Sequence, residues 1–234
     1  MSHETAESIS NYCDYFRRQL AEVGQMQKLL YSKILLVTIL DTLARGRFPD
    51  QKNRERFTGI IREYSGWPDF DRVSPIQYHL YALKCKENKP TGEVSRHLEA
   101  LFLKLNDAAT KTPTQSITND PTFAELSSLN PTPFEDDALR RCRFSDLMYA
   151  YRNKLVHEFK EPGYPHAFSD DEPEPYYFAW LPSESIPDDP PQLTFPRRWM
   201  LRVADSIIAN LEKYYTANAI DPYSRHKFGS LWTE

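Results

Sequence analysis

The stretch "TPFEDDALRRCRFSDLMYAYRNKLVHEFKEPG", Thr132 to Gly163, decides how the rest of the chain is read. Both of its ends carry helix signals. Thr132, Pro133 and Glu135 form a start, and Asp136 and Asp137 complement the positive pole of a helix dipole. Pro162-Gly163 is a stop. One long central helix over about 133–160 is expected, roughly 28 residues and about 42 Å at the α-helical rise. On it, Phe144, Leu147, Tyr151, Leu155 and Phe159 recur on one side and read as core. Tyr149, Asn153 and His157 step by four along another face, and Arg152 lies about 140° from His157 around the axis.

The flanking sequence is helical as well. Ile9, Cys13, Phe16, Leu20, Val23, Leu30, Ile34, Val37 and Ala44 recur in three- and four-residue steps, with Gln27 and Asp41 as polar entries on the stripe. Gly24 divides this run into two helices, the second over about 25–45 and ended by Gly46 and Pro49. Shorter helices are expected over about 54–64, from Ser74 to about Lys86, and from Thr91 onward. Residues 111–131 are rich in Thr, Ser and Pro and read as a linker with at most a short helix over 123–129. A proline-rich excursion spans 161–196, in which "YYFAWL" and "QLTF" can pair as a hairpin. Its aromatic residues are expected to pin the loop to the core. "FPRRWMLRVADSIIANLEKYY" is a closing helix over 196–215, and 216–234 reads as a loose tail. The expected fold is therefore all-α, a single helical domain over 1–234 with one proline-rich insertion.

Composition narrows the function. The net charge of −4 excludes a broad nucleic-acid-coating face while leaving room for a local basic pocket. Cys13, Cys85 and Cys142 are odd in number and widely spaced, which fits a reducing cytoplasm rather than a disulfide framework or zinc knuckle. The opening "MSHETAESIS" is polar and acidic, and the apolar run Ile34 to Leu40 is too short to span a bilayer. A cytoplasmic protein without membrane association is expected. None of the 7 glycines builds a phosphate-cradling loop. His79, His97, His166 and His226 are scattered without ligand spacing and read as ordinary residues.

The polar face of the central helix has the parts for one chemistry. A histidine exchanges protons near neutrality, an arginine grips phosphate oxygens, and an Asn amide orients either partner. Arg140, Arg141, Arg143, Lys154 and Lys160 stand against Asp146 and Glu158 as a local positive excess. This set suits cleavage of an RNA phosphodiester by its own 2'-hydroxyl. It needs neither metal nor cofactor. Asp41 reads equally as a buried partner for Arg152 or His157 and as a surface residue. Tyr149 and Lys154 are further supporting candidates. Arg197 and Arg198 read equally as substrate contacts and as a solvated pair. Cations at a helix end also simply offset the dipole, and the all-α setting is what raises the chemical reading above that one.

At "RNKLVH" the sequence resembles HEPN domains (higher eukaryotes and prokaryotes nucleotide-binding), which carry an R-x4–6-H motif with a polar residue after the Arg. The resemblance extends over the helices from about Gln25 to Tyr215, with the motif at Arg152 to His157. It implies a helical bundle, a homodimer with a composite site, and a metal-independent endoribonuclease in a toxin, antiviral or anti-phage setting. In that setting a regulatory or defence-system partner is implied too. Arg152 would bind the scissile phosphate, His157 would transfer protons and Asn153 would support both. The alternative it implies is a non-catalytic nucleotide-binding or partner-binding module. Phe159 departs from the tyrosine that nucleotidylated toxin relatives carry two positions after the His.

Overall fold

The structure, a computed structural model, describes residues 1–85, 92–162, 172–179 and 190–225. The expected start at Thr91, the stop at Gly163, His166, Trp180 and Leu181 of the hairpin, and His226 lie outside the described residues. The fold is all-α with one small sheet, and no described helix is long and apolar enough to cross a membrane. The helices are α1 (His3–Gly24), α2 (Leu29–Arg47), α3 (Asn53–Tyr64), α4 (Pro75–Lys84), α5 (Glu93–Ala109), α6 (Phe123–Ser127), α7 (Pro133–Cys142), α8 (Phe144–Glu158) and α9 (Arg197–Asn218). Contacts group the chain into two compact units. One comprises Met1–Trp67, Arg152–Lys160 and Arg197–Glu234, the other Pro68–Tyr151 and Glu161–Pro196.

In the first unit α1, α2, α3 and α9 pack together. Their apolar stripes meet through Ile9, Phe16, Leu20, Leu36, Val37, Leu40, Ile60, Ile207 and Leu211, all buried. The α2 run is buried on more than one side, which is why its middle is apolar nearly all round. Tyr12 meets Phe16, Tyr215 and Tyr223 edge to face. Arg47 sits 4.5 Å from the Phe48 ring centre and 4.1 Å from that of Tyr214, and its Nε donates to the Tyr64 hydroxyl. Of the tail expected to be loose, residues 226–234 lie outside the described residues. α9 continues to Asn218, and a 3-10 turn follows at Pro222–Arg225.

The second unit surrounds Val73, Tyr78, Val94, Leu98, Leu126, Ala138, Leu139 and Cys142. Its strands β1 (Thr114–Ser116), β2 (Tyr176–Phe178) and β3 (Gln192–Thr194) form an antiparallel sheet in that order. The β2–β3 pairing is the expected hairpin. β1 is a strand where only linker was expected.

The long central helix of 133–160 is corrected to two. Arg143 is extended, with φ −71° and ψ 140°, and so ends α7 before α8 begins. The cause lies about 70 residues upstream in the chain. The extended segment Arg72–Ser74 runs past the break, so that Ser74 N–H donates to Cys142 O at 3.0 Å and Phe144 N–H to Arg72 O at 2.9 Å. These bonds replace the helical ones lost at the break. On α8 the core side is Phe144, Met148, Tyr151 and Leu155, with Leu147 half-buried.

Phe159, expected in the core, is instead 65% exposed. It ends α8 with φ 52°, a left-handed position that helix ends usually give to glycine. Because its ring packs little, Phe159→Gly should raise stability by about 0.5–1 kcal/mol in urea denaturation. A loss of stability would show instead that the ring is bound to something.

Candidate functional site

Arg152 is the first α8 residue of the first unit, and α2 and α3 of that unit supply its charged neighbours. Asp41 interrupts the buried stripe of α2, between Leu40 and Leu43, at its half-exposed edge. Arg152 Nη2 donates to Asp41 Oδ2 at 3.0 Å, and Arg152 Nη1 donates to Asn153 Oδ1 at 2.9 Å. The charged oxygen and the amide oxygen together hold one edge of the guanidinium. Of the two partners the sequence offered Asp41, the structure pairs it with Arg152.

A third charged residue joins them. Arg56 of α3 places Nη2 3.7 Å from the same Asp41 oxygen. That is an ion pair but too long for a good hydrogen bond. The side chains of Arg152, Arg56 and Asp41 are 12%, 13% and 19% exposed. Arg152 Nε, Arg56 Nε and Asp41 Oδ1 are buried with no hydrogen-bond partner among the described residues. Sequence reading missed Arg56. "NRERF" carries its charges at helix-start spacing and looks like any solvated first turn.

His157 is exposed one turn beyond Asn153 on the same face, and makes no hydrogen bond or ion pair among the described residues. The Asn153 carbonyl serves Arg152 rather than the imidazole. Tyr149, the other member of the stripe, is half-buried.

The positive excess read from the sequence is corrected. Arg140 pairs with Asp136 at 2.9 Å and Arg141 with Asp137 at 2.6 Å, both four residues apart on α7. Arg143 bridges Asp146 at 3.0 Å and Asp71 at 3.3 Å. Lys154 pairs with Glu158, and Lys160 with the same carboxylate at 2.9 Å. These cations are ion-paired within their own surroundings, whereas Arg152 and Arg56 share one carboxylate in a largely enclosed setting. Arg197 donates to the Met26 carbonyl at 2.7 Å, tying α9 to the end of α1, while Arg198 is exposed.

Two buried carboxylates of the second unit were not singled out for chemistry. Asp120 accepts from the Tyr177 hydroxyl at 2.6 Å, and that hydroxyl also lies 2.7 Å from Ser74 Oγ. Glu135 bonds two helix starts at once. Among the described residues no three His, Cys, Asp or Glu side chains gather as a metal site. Comparison of the chain with family models, with curated proteins and with solved structures finds no match.

Proposed function

We propose that this chain is a HEPN-type endoribonuclease of the toxin or anti-phage kind, acting as a homodimer on single-stranded RNA without a metal. The observation that carries the reading is a phosphate-binding type of side chain, Arg152, gripped by Asp41 and Asn153, with an exposed imidazole at the end of the same helix. A guanidinium held on one edge by neighbours is oriented in advance for an oxyanion.

In the proposed reaction His157 takes the proton of a ribose 2'-hydroxyl. The 2'-oxygen attacks the adjacent phosphorus, the bond to the 5'-oxygen breaks, and that oxygen takes a proton from the imidazolium, which returns His157 to its neutral form. The products are a 2',3'-cyclic phosphate and a free 5'-hydroxyl. Arg152 neutralises the charge that gathers on the phosphoryl oxygens. Five residues of helix separate the two side chains by about 7.5 Å along the axis and 140° around it. A second copy of the chain would bring one protomer's imidazole to its partner's guanidinium.

The test is incubation of the purified protein with RNA in EDTA. His157→Ala should reduce cutting at least about 10²-fold, the usual worth of a general acid–base group, and wild-type products should carry cyclic phosphate ends. Equal cutting by the two proteins, or loss of all cutting with the chelator, overturns the mechanism.

A second reading draws on the burial of Arg152, whose guanidinium is largely enclosed and already ion-paired. On it the chain is a non-catalytic nucleotide-binding or partner-binding module of a defence system. Arg152→Ala would then change association, with no RNA cut by wild type under any activating condition.

A further inference from the structure

The charges around Asp41 do not balance. Two guanidinium groups, both largely enclosed, share one carboxylate oxygen, at 3.0 Å from Arg152 and 3.7 Å from Arg56. A buried charge needs a partner of opposite sign, and removing it from water without one is expensive. Among the described residues Arg56 has only the long ion pair, and its Nε donor, like that of Arg152, is enclosed and unbonded. The cluster holds a net positive charge and donors on two separate guanidinium forks. What completes it is a single anion with several oxygens set around one centre, which is the geometry of a phosphate group. Asp41 Oδ1, also enclosed and unbonded, adds an acceptor beside it. An anion carrying a neighbouring hydroxyl would satisfy donors and acceptor together, as a ribose-phosphate unit does.

We propose that Arg56 is a second phosphate-binding arginine, and that Arg56 and Arg152, spaced by Asp41, form a clamp on one phosphodiester of a bound RNA strand. The proposal rests on the endoribonuclease reading for the identity of the strand. It does not rest on His157. In this arrangement Asp41 is a positioning residue, spacing the two forks and giving up part of its bonding when the anion enters.

The experiment uses the full chain and a 2'-O-methyl RNA oligonucleotide, which binds without being cut. Affinity is read by fluorescence anisotropy at several salt concentrations, for wild type and Arg56→Met. Arg56→Met should bind about 10-fold or more weakly, and its log-affinity against log-salt slope should fall by about 0.7, the value for one phosphate contact on a single strand. The melting temperature of Arg56→Met should equal or exceed that of wild type, because the variant sheds an uncompensated charge. A role confined to structure predicts the reverse pattern, a lower melting temperature with unchanged affinity and slope, and that overturns the proposal. So does stabilisation by inorganic phosphate without any binding of the oligonucleotide, which assigns the site to a free anion.

The two readings fail separately. If Arg56-dependent binding is found but the ribose form of the same oligonucleotide is never cut, the nuclease reading falls and the clamp stands. If wild type and Arg56→Met cut equally well, the clamp falls and the nuclease reading stands.

Discussion

Glu135→Ala is expected to lower the stability of the second unit by about 4 kcal/mol. The carboxylate is 1% exposed and serves two helices. One oxygen accepts from the Thr132 N–H at 2.9 Å and the Thr132 hydroxyl at 3.0 Å, closing the capping box of α7. The other accepts from the Ser95 N–H at 2.9 Å and the Ser95 hydroxyl at 2.6 Å, capping α5 from outside. A single charge therefore sits at the positive poles of two helices. Each hydrogen bond to a charged group contributes about 1.5–3 kcal/mol, and the losses do not simply add.

Burial alone would raise the Glu135 pKa, but the bonds from Ser95 and Thr132 outweigh it and hold the group below the usual carboxylate range. Its contribution is thus present above the ordinary Glu pKa and is lost as pH falls through the lowered one. Glu135→Gln keeps the shape but turns an NH₂ toward donors, and should cost about 2 kcal/mol. Gly92 belongs to the same arrangement, since a Cβ there would run into the carboxylate. Hydrogen exchange at the first-turn amides of α5 and α7 reads the effect directly. A change under about 1 kcal/mol in the alanine variant would show that water replaces the carboxylate without penalty.

Asp120 should behave in the opposite sense. It is buried like Glu135, yet its side chain receives one bond, from Tyr177. Burial pushes its carboxyl up to about 7, while the Tyr177 hydroxyl and the Arg72 guanidinium pull it down and Asp69 adds to the rise. The folded pKa lies above the unfolded one, so the fold favours the protonated form. Stability is then fullest below about pH 4, declines as pH rises toward 7, and is level above that. A shift from 3.8 to about 7 corresponds to about 4 kcal/mol over that window.

Asp120→Asn removes the titration while keeping an acceptor for Tyr177. The variant should match wild type near pH 4 and exceed it by about 3–4 kcal/mol at pH 8, read by denaturant melts across that range. A wild-type curve with no decline between pH 4 and 7 would sink the prediction. Number of donors, not depth alone, separates the two carboxylates. Among the described residues four donors hold the Glu135 pKa down, whereas one donor leaves that of Asp120 raised.

The legible parts of the fold were those encoded within one helical turn. Thr132 and Glu135 announce the start of α7, and Ser74 with Pro75 that of α4, because a cap acts on amides two or three residues away. The β2–β3 hairpin was legible in its aromatic and β-branched runs. The break at Arg143 was not, since nothing between Arg140 and Phe144 opposes a helix. It is imposed by Arg72–Ser74. β1 was hidden for the same reason, its "TQS" becoming a strand only because β2 lies beside it. At the candidate site, Asp41 was visible as a charge on an apolar stripe. Arg56 was invisible, because its meaning comes from a neighbour on another helix. Arg140, Arg141 and Arg143 misled in the opposite direction, since acidic residues nearby in sequence and in space consume their charge.

The order in which the chain leaves the ribosome matters for a fold wired this way. α1 packs on α9, and the Arg17–Glu212 pair joins residues 195 positions apart. Residues 68–151 and 161–196, which make the other unit, are synthesised in between. The inner unit can therefore complete its core while α1, α2 and α3 still lack their closing helix. Those three helices hold their greasy sides ready until α9 is translated. A chain cut short before α9 is therefore expected to aggregate rather than form a smaller working protein, because the apolar faces of α1, α2 and α3 stay uncovered.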